Sequence, residues 1–391
     1  MENSVIVAST RTAIGSFQGA LSSVTAPKLG AHVITAALQQ IDLKPDAVQE
    51  CILGQVLTAG SGQAPARQAA IYAGLLPSTV CLTINKVCGS GLKAVMLAAD
   101  SIRTGQSEVV LAGGQENMTL SPHLMENSRA GYRMGHVQMA DSMIKDGLWD
   151  PYNNWHMGSA AEICSKDYSF TREQQDEFAI QSYKKAQKAI ESGLFKKEIA
   201  AFEIQTKKGT QLVEKDEDPF NTNFEKIPGL KPAFEKTGTI TAANASKIND
   251  GAAVQIIMSE SQAKKRNLKP LAKIVAYATF AQDPKYFTTA PVGAMKKVLQ
   301  MANLSATKID LFEINEAFAC VTMAAMKDLE IPMEKINPHG GAIAIGHPIG
   351  ASGSRILTTL VHGLHTHNKK YGMASICIGG GEAVAMIIER I

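Results

Sequence analysis

The sequence lacks long apolar runs and a strong excess of charge of one sign. No run of about 18 apolar residues occurs, so nothing in it predicts a membrane-spanning helix. The formal net charge of +3 is small for 391 residues and argues against nucleic acid as the main partner. With 45% hydrophobic and 19% charged residues, the composition is typical of a globular protein with room for two or three domains.

The chain also lacks the cysteine spacing of a zinc site or of a disulfide scaffold. Its six cysteines are widely spread and no C-x-x-C occurs, so no metal is expected. Free thiols in a reducing compartment are the simpler interpretation. The first residues, MENSVIVASTRTAIGSF, lack the apolar core of a signal peptide and the Arg-rich character of a transit peptide. These features together predict a cytoplasmic location.

The first 118 residues contain an alternation of strand-like and helix-like segments. Short apolar runs such as SVIVAS and VVLAGG alternate with segments such as KLGAHVITAALQQI, whose apolar residues have helical spacing. The alternation resumes near residue 250 and continues through KIVAYATF and ASICIGG. It predicts an α/β fold with a mostly parallel sheet and helices packed on it.

The segment between these two regions lacks the alternation of strand-like and helix-like segments. It contains loops rich in Gly, Met, His and Asn and a pattern that predicts one long polar helix. We expect it to be an inserted loop domain that covers the core. The flanking regions resemble each other, because SGLKAVMLAADSI leads to VVLAGGQE and SGSRILTTLVHGL leads to ASICIGGGE. This similarity suggests an internal duplication. The predicted domains are 1–118 with 249–270, the insertion 119–248, and 271–391.

The stretch NKVCGSGLKA, residues 85–94, has three interpretations. Its GSGLKA fits the dinucleotide pattern G-x-G-x-x-G/A, which would favour a dehydrogenase, but Glu108 precedes the next strand instead of ending it. In the second interpretation Cys88 is a nucleophile, because a thiol at the first turn of a helix has its pKa lowered by the helix dipole and by free N–H groups. In the third, Cys88 is a small buried hydrophobic residue.

Polar motifs in the second half favour the nucleophile. NEAFA contains Asn315 and Glu316, GGAIAIGHPIGASG contains His347, and CIGGGE contains Cys377. A histidine before proline in a glycine-rich loop is not typical of core packing, and a cysteine before three glycines has little side-chain cover. Nucleophile, base, second acid or base and oxyanion donors are the parts of a covalent acyl-transfer site.

In this order, NKVCGSGLKA, NEAFA, GGAIAIGHPIGASG and CIGGG resemble the motifs of the thiolase family. The resemblance extends over essentially the whole chain and includes VIVASTRTAIGSF, NWHMGSAAE and GTITAANASKINDGAA. The Cys, Asn, His and Cys set differs from that of the ketoacyl synthases, which use Cys-His-His or Cys-His-Asn. The pattern is most similar to the acetoacetyl-CoA thiolases. It implies the thiolase fold, with two duplicated α/β halves, a layered α-β-α-β-α core and an inserted loop domain.

The resemblance also implies a role for each motif residue. Cys88 attacks the thioester and becomes acylated, His347 takes its proton, and Cys377 removes the α-proton of a second acetyl-CoA. One oxyanion hole uses His347 with a water held by Asn315, and the other uses the N–H groups of Cys88 and Gly379. Each such donor typically lowers the barrier by about 3–4 kcal/mol. The implied reaction is cleavage of acetoacetyl-CoA, or Claisen condensation of two acetyl-CoA, through an acetyl-cysteine.

The partners implied by the resemblance are acetyl-CoA, acetoacetyl-CoA and coenzyme A, which are substrates, and no further cofactor. A homotetramer built as a dimer of dimers is also implied. Six residues occupy positions that line the pantetheine channel in relatives: Leu148, His156, Met157, Phe234, Ala242 and Ser246.

Three residues depart from the family pattern. Phe220 lies in the segment where relatives carry an Arg near the adenine, and Phe287 stands where a methionine usually lines the acyl pocket. Glu382 follows the last glycine turn, where a neutral residue is usual, so it would either change the pKa of Cys377 or point into solvent. The H-x-x-H-x-H segment that begins at His362 is interpreted as a surface group and not as a metal site.

Three other functions remain as alternatives. A degradative 3-ketoacyl-CoA thiolase of broader chain length is the nearest. A non-catalytic CoA or lipid carrier on the same fold is the second, and it is disfavoured because all four reactive residues are present. A dinucleotide-binding dehydrogenase is the third, and the position of Glu108 argues against it.

Overall fold

A computed structural model describes residues 2–206 and 209–391. The strands are, in chain order, β1 (Ser4–Arg11), β2 (Gly15–Ser16), β3 (Glu50–Gly54), β4 (Val80–Ile84), β5 (Val109–Asn117), β6 (His123–Leu124), β7 (Ala140–Asp141), β8 (Trp149–Asp150), β9 (Trp155–His156), β10 (Phe202–Thr206), β11 (Gly209–Val213), β12 (Asn249–Ser259), β13 (Ala272–Ala281), β14 (Leu311–Ile314), β15 (Tyr371–Ile378) and β16 (Glu382–Arg390).

The α-helices are α1 (Ala26–Gln40), α2 (Pro65–Tyr72), α3 (Ser90–Arg103), α4 (Met157–Tyr168), α5 (Arg172–Glu191), α6 (Glu260–Lys265), α7 (Ala290–Ala302), α8 (Ala319–Asp328), α9 (Ala342–Ile345) and α10 (Ser352–Thr366). Short 3-10 turns connect several of them, and a π turn spans Ile144–Leu148. Of the helices in the described residues, none combines the length and the apolar character needed to cross a membrane.

The main strands form one mixed sheet in the order β14-β15-β16-β13-β1-β12-β5-β3-β4. The two halves of the chain meet in it at β1 and β13, which share only the register pairs Val5–Lys273 and Ile6–Ala272. Strand β3 runs parallel to β4 and β5, and β14 runs parallel to β15. Strand β12 is antiparallel to β1 and β5, and β16 is antiparallel to β13 and β15.

The prediction of a mostly parallel sheet is therefore wrong for β12 in the first half-sheet and for β16 in the second, because each is antiparallel to both of its neighbours. Only Gly379, Gly380 and Gly381 join β15 to β16, and this connection is too short for the crossover that parallel strands require. Strand β12 follows the long insertion and returns between β1 and β5 in the opposite direction. Apolar periodicity does not encode strand direction, so the alternation alone could not predict these pairs.

Successive residues of each strand point to opposite sides, so each half-sheet faces two cores. In β5, Val109 and Leu111 belong to the core under α1, whereas Val110 and Ala112 belong to the core that contains α3 and α10. Strand β16 alternates in the same way between this central core and a third core under α7. The order of layers confirms the predicted α-β-α-β-α fold, with α3 and α10 in the middle.

The two central helices contact each other through glycines. A Cβ on Gly91 of α3 would lie 2.8 Å from the backbone nitrogen of Ser354, and a Cβ on Gly353 of α10 would lie 2.5 Å from that of Leu92. These glycines belong to the two similar segments SGLK and SGSR, one from each half. The segments of the suggested duplication thus meet at the centre of the molecule. Helix α3 begins two residues after Cys88, and α10 begins five residues after His347.

The inserted segment supplies α4 and α5, which pack on α8 and α9 of the second half. Helix α5 begins with a capping box in which the Thr171 hydroxyl and the Gln174 side chain each satisfy a backbone N–H. Helix α4 is capped by His156, whose Nδ1 accepts a hydrogen bond from the Gly158 N–H at 3.1 Å. The insertion is therefore packed on the second half through two capped helices.

Candidate active site

A mostly apolar cavity of about 300 Å³ lies between the insertion and the two halves of the core. Cys88, His347 and Gly379, which come from three separate loops, all line it. Much of the remaining wall comes from the insertion, and Phe287 and Phe318 of the second half close one side. The structure thus brings together three of the predicted site residues at one surface.

The turn that carries Cys88 is tightly constrained. Val87 has a φ of +44°, which is strained for a β-branched residue. The Ser90 hydroxyl spans this turn, because it accepts from the Lys86 N–H at 2.8 Å and donates to the Val87 carbonyl at 2.7 Å. A Cβ on Gly89 would lie 2.4 Å from Ile378 Cδ1. The glycines of this stretch therefore permit close packing inside the protein, which argues against the dinucleotide interpretation.

Burial raises the pKa of the Cys88 thiol to about 12, although N–H groups of Gly379 and of Cys88 itself hydrogen-bond to the sulfur and lower it in part. The expectation of a lowered pKa at the start of the helix is therefore wrong for this structure. Helix α3 begins at Ser90, after the cysteine, so the sulfur lies in front of the first turn and the cost of burying its charge dominates. A base must remove the proton before Cys88 can attack.

His347 is oriented to be that base. Its Nδ1 lies 2.5 Å from the Ser352 hydroxyl oxygen, and that hydroxyl donates its proton to the Pro348 carbonyl oxygen at 2.9 Å. Nδ1 must therefore carry the ring proton, which leaves the lone pair on Nε2. Burial, with a further contribution from Arg355, lowers the pKa of the imidazole to about 3, so it is neutral at rest.

The loop that carries His347 is held by a buried amide. Asn249 Oδ1 accepts from the His347 backbone N–H at 2.9 Å, and its Nδ2 donates to the Gly15 carbonyl oxygen and to Asp218. Gly346 has a φ of +115°, and a Cβ there would lie 2.4 Å from the Asn249 side chain. Glycine is required at this position, for both conformation and space.

Cys377 lies at the end of β15 and is only 1% exposed. Burial raises the pKa of its thiol well above the ordinary value, and the neighbouring Cys88 raises it further. Cys377 packs with Met157, Phe287 and Phe318, directly behind the cavity wall.

Asn315 is fully buried, and its side-chain amide is unusual. Neither Oδ1 nor Nδ2 has a hydrogen-bond partner among the described residues, although the backbone N–H donates to the Ser375 carbonyl at 3.0 Å. A buried amide without partners is costly and rare. Asn315 does not itself line the cavity, but Ala317 and Phe318 of the same motif do, so its amide lies near the cavity wall.

Two buried carboxylates that were not among the predicted site residues fix the loops around the cavity. Glu116, at the end of β5, accepts from the Val56 and Gly350 N–H groups at 2.9 Å each. Glu316 accepts from the Ser182 hydroxyl at 2.6 Å and from Asn337 at 2.7 Å. The sequence signal for both was their position beside a site motif, in GGQE and NEAF.

Five of the six residues predicted to line the pantetheine channel do line the cavity: Leu148, His156, Met157, Phe234 and Ser246. The imidazole of His156 stacks on the ring of Phe234, with centroids 4.6 Å apart. Ala242 is the exception, since it is exposed in an adjoining cleft that also contains Lys226. Lys247 borders both the cavity and this cleft, and its ammonium lies 4.9 Å from the ring of Tyr183.

The three residues that depart from the family pattern have defined positions in the structure. Phe287 lines the cavity, is 3% exposed, and meets Phe318 edge to face with centroids 6.3 Å apart. Phe220 is half exposed on the surface of the insertion. Glu382 forms an ion pair with Lys86, which is two residues before Cys88, so it does not point freely into solvent. It is not among the groups that shift the pKa of Cys377.

The imidazoles of the H-x-x-H-x-H segment have separate partners. His362 Nε2 is 2.9 Å from the Ser9 carbonyl oxygen, and His365 Nε2 is 2.8 Å from that of Leu271. His367 pairs with His339 at 2.9 Å between their Nε2 atoms. The three rings thus bind three different parts of the chain, and the described residues contain no group of three or more His, Cys, Asp or Glu placed to hold a metal ion.

A layered core of two halves, with a cysteine and an imidazole lining one cavity and a second thiol behind its wall, is the arrangement of a thiolase. Family models for the thiolase N-terminal domain and the thiolase C-terminal domain match residues 4–261 and 268–390, so the chain belongs to the thiolase family.

Named relatives match the chain over its whole length. It is 52% identical to the acetyl-CoA acetyltransferase of Cupriavidus necator and 50% identical to that of Escherichia coli, with 100% of each chain covered. The crystal structure of the Bacillus anthracis acetyl-CoA acetyltransferase matches it with a TM-score of 0.98 and 42% identity, over 100% of this chain and 99% of that one.

Proposed function

We propose that this thiolase is an acetyl-CoA C-acetyltransferase that works by a ping-pong mechanism. The observation that carries the proposal is the meeting of the Cys88 thiol, the free Nε2 of His347 and the Gly379 N–H at one cavity. Acetyl-CoA, acetoacetyl-CoA and coenzyme A are the proposed substrates and products. The six free cysteines are consistent with a cytoplasmic location, where thiols stay reduced.

In the first half-reaction, His347 Nε2 takes the proton of Cys88 and the thiolate attacks the thioester carbon. The N–H groups of Cys88 and Gly379, which already point at the sulfur, stabilise the oxyanion that forms. The bond between the acetyl carbon and the CoA sulfur then breaks. Cys377 gives its proton to the departing CoA, so the site is left with acetyl-Cys88, an imidazolium and a thiolate.

In the second half-reaction, the Cys377 thiolate removes the α-proton of a second acetyl-CoA. A thiolate whose pKa is raised by burial is a strong base, as this weakly acidic C–H requires. His347 and a water held by the Asn315 amide stabilise the enolate oxygen, and the enolate carbon attacks acetyl-Cys88. The Cys88 thiolate leaves and takes back the proton of His347, so acetoacetyl-CoA is released from a restored site.

The insertion, residues 119–248, is proposed to bind the CoA part of the substrate. Leu148, Met157 and Phe234 provide an apolar channel for the pantetheine arm, with Ser246 as a polar contact. Ala242 would contact the nucleotide end, in the adjoining cleft. Lys226 and Lys247 bring positive charge to that cleft, where the phosphates of CoA would lie.

The test of the mechanism is mass spectrometry after brief incubation with acetyl-CoA. We expect one acetyl group, attached to Cys88, and its loss on addition of free CoA. Cys88→Ala should remain unacetylated, whereas Cys81→Ala should be acetylated like the parent. An acetyl group on another residue and none on Cys88 would contradict the proposal.

A degradative 3-ketoacyl-CoA thiolase is the second candidate, and Phe287 is the residue that decides between them. Its ring and that of Phe318 contact each other and line the same cavity as Cys88, so both occupy space that a longer acyl chain would need. We expect thiolysis rates to fall steeply beyond acetoacetyl-CoA, and Phe287→Ala to restore part of the rate for longer chains. A parent enzyme that cleaves 3-ketooctanoyl-CoA as fast as acetoacetyl-CoA would support the second candidate.

We also propose a homotetramer built as a dimer of dimers, because two separate surfaces expose apolar side chains. Val80 and Leu82 are 61% and 46% exposed on β4, which is the unpaired edge of the sheet. Met134 and Met139, in the insertion, are 96% and 60% exposed. Exposed apolar patches and open strand edges are typical contacts between subunits.

A further inference from the structure

A second pair of thiols lies at the edge of the sheet, outside the cavity. Cys51 on β3 and Cys81 on β4 are register partners in adjacent parallel strands, so their side chains point to the same face. Cys81 packs against the core cluster that contains Cys51, so the two thiols lie close enough to interact. Cys51 is buried in the core under α1, whereas Cys81 is half-buried. One thiol of the pair is therefore covered and the other is accessible.

A cation is fixed beside the accessible thiol. Arg67 Nη1 lies 3.8 Å from Cys81 Sγ, and the same guanidinium donates to the carbonyl oxygens of Thr79 at 2.5 Å and Pro77 at 2.7 Å. These two carbonyls hold the guanidinium in place without neutralising its charge. The charge is thus available to stabilise an anion on the sulfur.

The two thiols differ in protonation at neutral pH. The hydrogen bond from Cys51, followed by Arg67, lowers the pKa of Cys81 to about 6 although burial opposes the shift. The same hydrogen bond, together with burial, raises the pKa of Cys51 well above its ordinary value. Cys81 is then a thiolate beside a protonated Cys51, whereas burial keeps Cys88 and Cys377 protonated.

We propose that Cys81, with Cys51 as resolving thiol and Arg67 as counter-ion, is a site of reversible oxidation by hydroperoxides. A partly exposed thiolate next to a cation and a second thiol is the arrangement that favours such chemistry. Cys51 and Cys81 are on directly adjacent strands, so the two sulfurs can join without any change in strand order. Val80 and Leu82 point to the opposite face from Cys81, so a subunit that covers them leaves the thiolate side to α2.

The reaction balances with one peroxide and two thiols. The Cys81 thiolate attacks a peroxide oxygen, the O–O bond breaks, and the sulfur becomes a sulfenic acid while hydroxide takes a proton to form water. The Cys51 sulfur then attacks the Cys81 sulfur, the S–O bond breaks, and the oxygen leaves as water with the Cys51 proton. Two thiols are oxidised to one disulfide, and one hydrogen peroxide is reduced to two waters.

The experiment treats the full-length enzyme with limiting hydrogen peroxide at pH 7, blocks remaining thiols, and maps peptides by mass spectrometry. We expect a Cys51–Cys81 disulfide to be the first product and dithiothreitol to reverse it. Cys164 and Cys320 provide an internal control, because their thiols are also adjacent but both are buried and no cation contacts either sulfur among the described residues. This control pair should stay reduced.

Variants separate the roles of the three residues. Cys51→Ser should let a sulfenic acid accumulate on Cys81, where dimedone traps it. Arg67→Met should slow alkylation of Cys81 by iodoacetamide at pH 7 about tenfold, and Arg67→Lys should slow it much less. A Cys81 that is oxidised no faster than Cys164 would overturn the site, and a Cys81 that is oxidised without forming the disulfide would overturn the role of Cys51.

Discussion

Ser352 determines the protonation of the base in this site. Its hydroxyl has one proton, which it donates to the Pro348 carbonyl oxygen, so its oxygen can only accept from His347 Nδ1. The lone pair of the imidazole is then directed to the cavity on Nε2. A serine in the first turn of α10 thus sets the tautomer of a histidine five residues earlier.

Replacement of this serine should weaken the base. In Ser352→Ala, we expect kcat to fall about tenfold, equivalent to about 1.4 kcal/mol of barrier, because the imidazole loses its orientation and preferred tautomer. KM for acetyl-CoA should change little. Steady-state kinetics of thiolysis measure both constants.

Ser354→Ala is the matched control for this prediction. It removes a buried hydroxyl two residues further along the same helix, whose partners are the Ala253 carbonyl oxygen and Gln255. Equal losses of kcat in the two variants would mean that Ser352 acts only through the packing of α10.

The reactive residues themselves could be predicted from sequence, but their supporting groups and pKa values could not. Cys88 and His347 lie in glycine-rich motifs, which are recognisable in the sequence alone. The contact of Ser352 with His347 and that of Asn249 with the His347 N–H depend on how distant segments pack. The direction of the Cys88 pKa shift depends on burial, which the sequence of a helix start does not reveal.

At the scale of elements, the site depends on how the turn before α3 meets the turn between β15 and β16. The first carries Cys88 and the second carries Gly379, whose N–H reaches the Cys88 sulfur. The ion pair between Lys86 and Glu382 joins these two turns at their exposed side. The sequence indicated that Glu382 was unusual, but its partner lies almost 300 residues away in the chain and was not predicted.

The loss of this ion pair should loosen the contact between the turns. In Glu382→Gln, we expect kcat to fall by about two- to five-fold at low salt, because a partly exposed pair contributes modestly. The loss should shrink at high salt, where the pair in the parent is already screened. The charge reversal Lys86→Glu with Glu382→Lys should recover most of the rate, and kcat as a function of ionic strength is the measurement.

Lys370 and Glu389 offer a control for the same strands. This pair, 3.2 Å apart, joins the start of β15 to the other end of β16, away from the cavity. Glu389→Gln should leave kcat unchanged. If the two glutamate variants behave alike, the Lys86–Glu382 pair has no part in positioning the turns.

At the scale of the whole molecule, the exposed apolar surfaces make a prediction about assembly. Met134 is almost fully exposed in the insertion, and a charge there should be incompatible with a dry subunit contact. We expect Met134→Asp to convert tetramers to dimers, detected as a halved mass in sedimentation velocity. Met301→Asp, on an equally apolar but isolated exposed residue of α7, should leave the mass unchanged. An unchanged mass for Met134→Asp would place the contact elsewhere.

The backbone contact between Gly91 and Gly353 has a consequence for the history of the chain. Each glycine lies in the first turn of a helix that follows its own half's reactive residue, and neither position has room for a methyl group. After a gene duplication, these two positions could not diverge independently, since any side chain on one copy would push the other copy's reactive residue away. Halves expressed as separate polypeptides should therefore regain activity only when the contact between Gly91 and Gly353 re-forms. Gly353→Ala in the second fragment should abolish this recovery of activity.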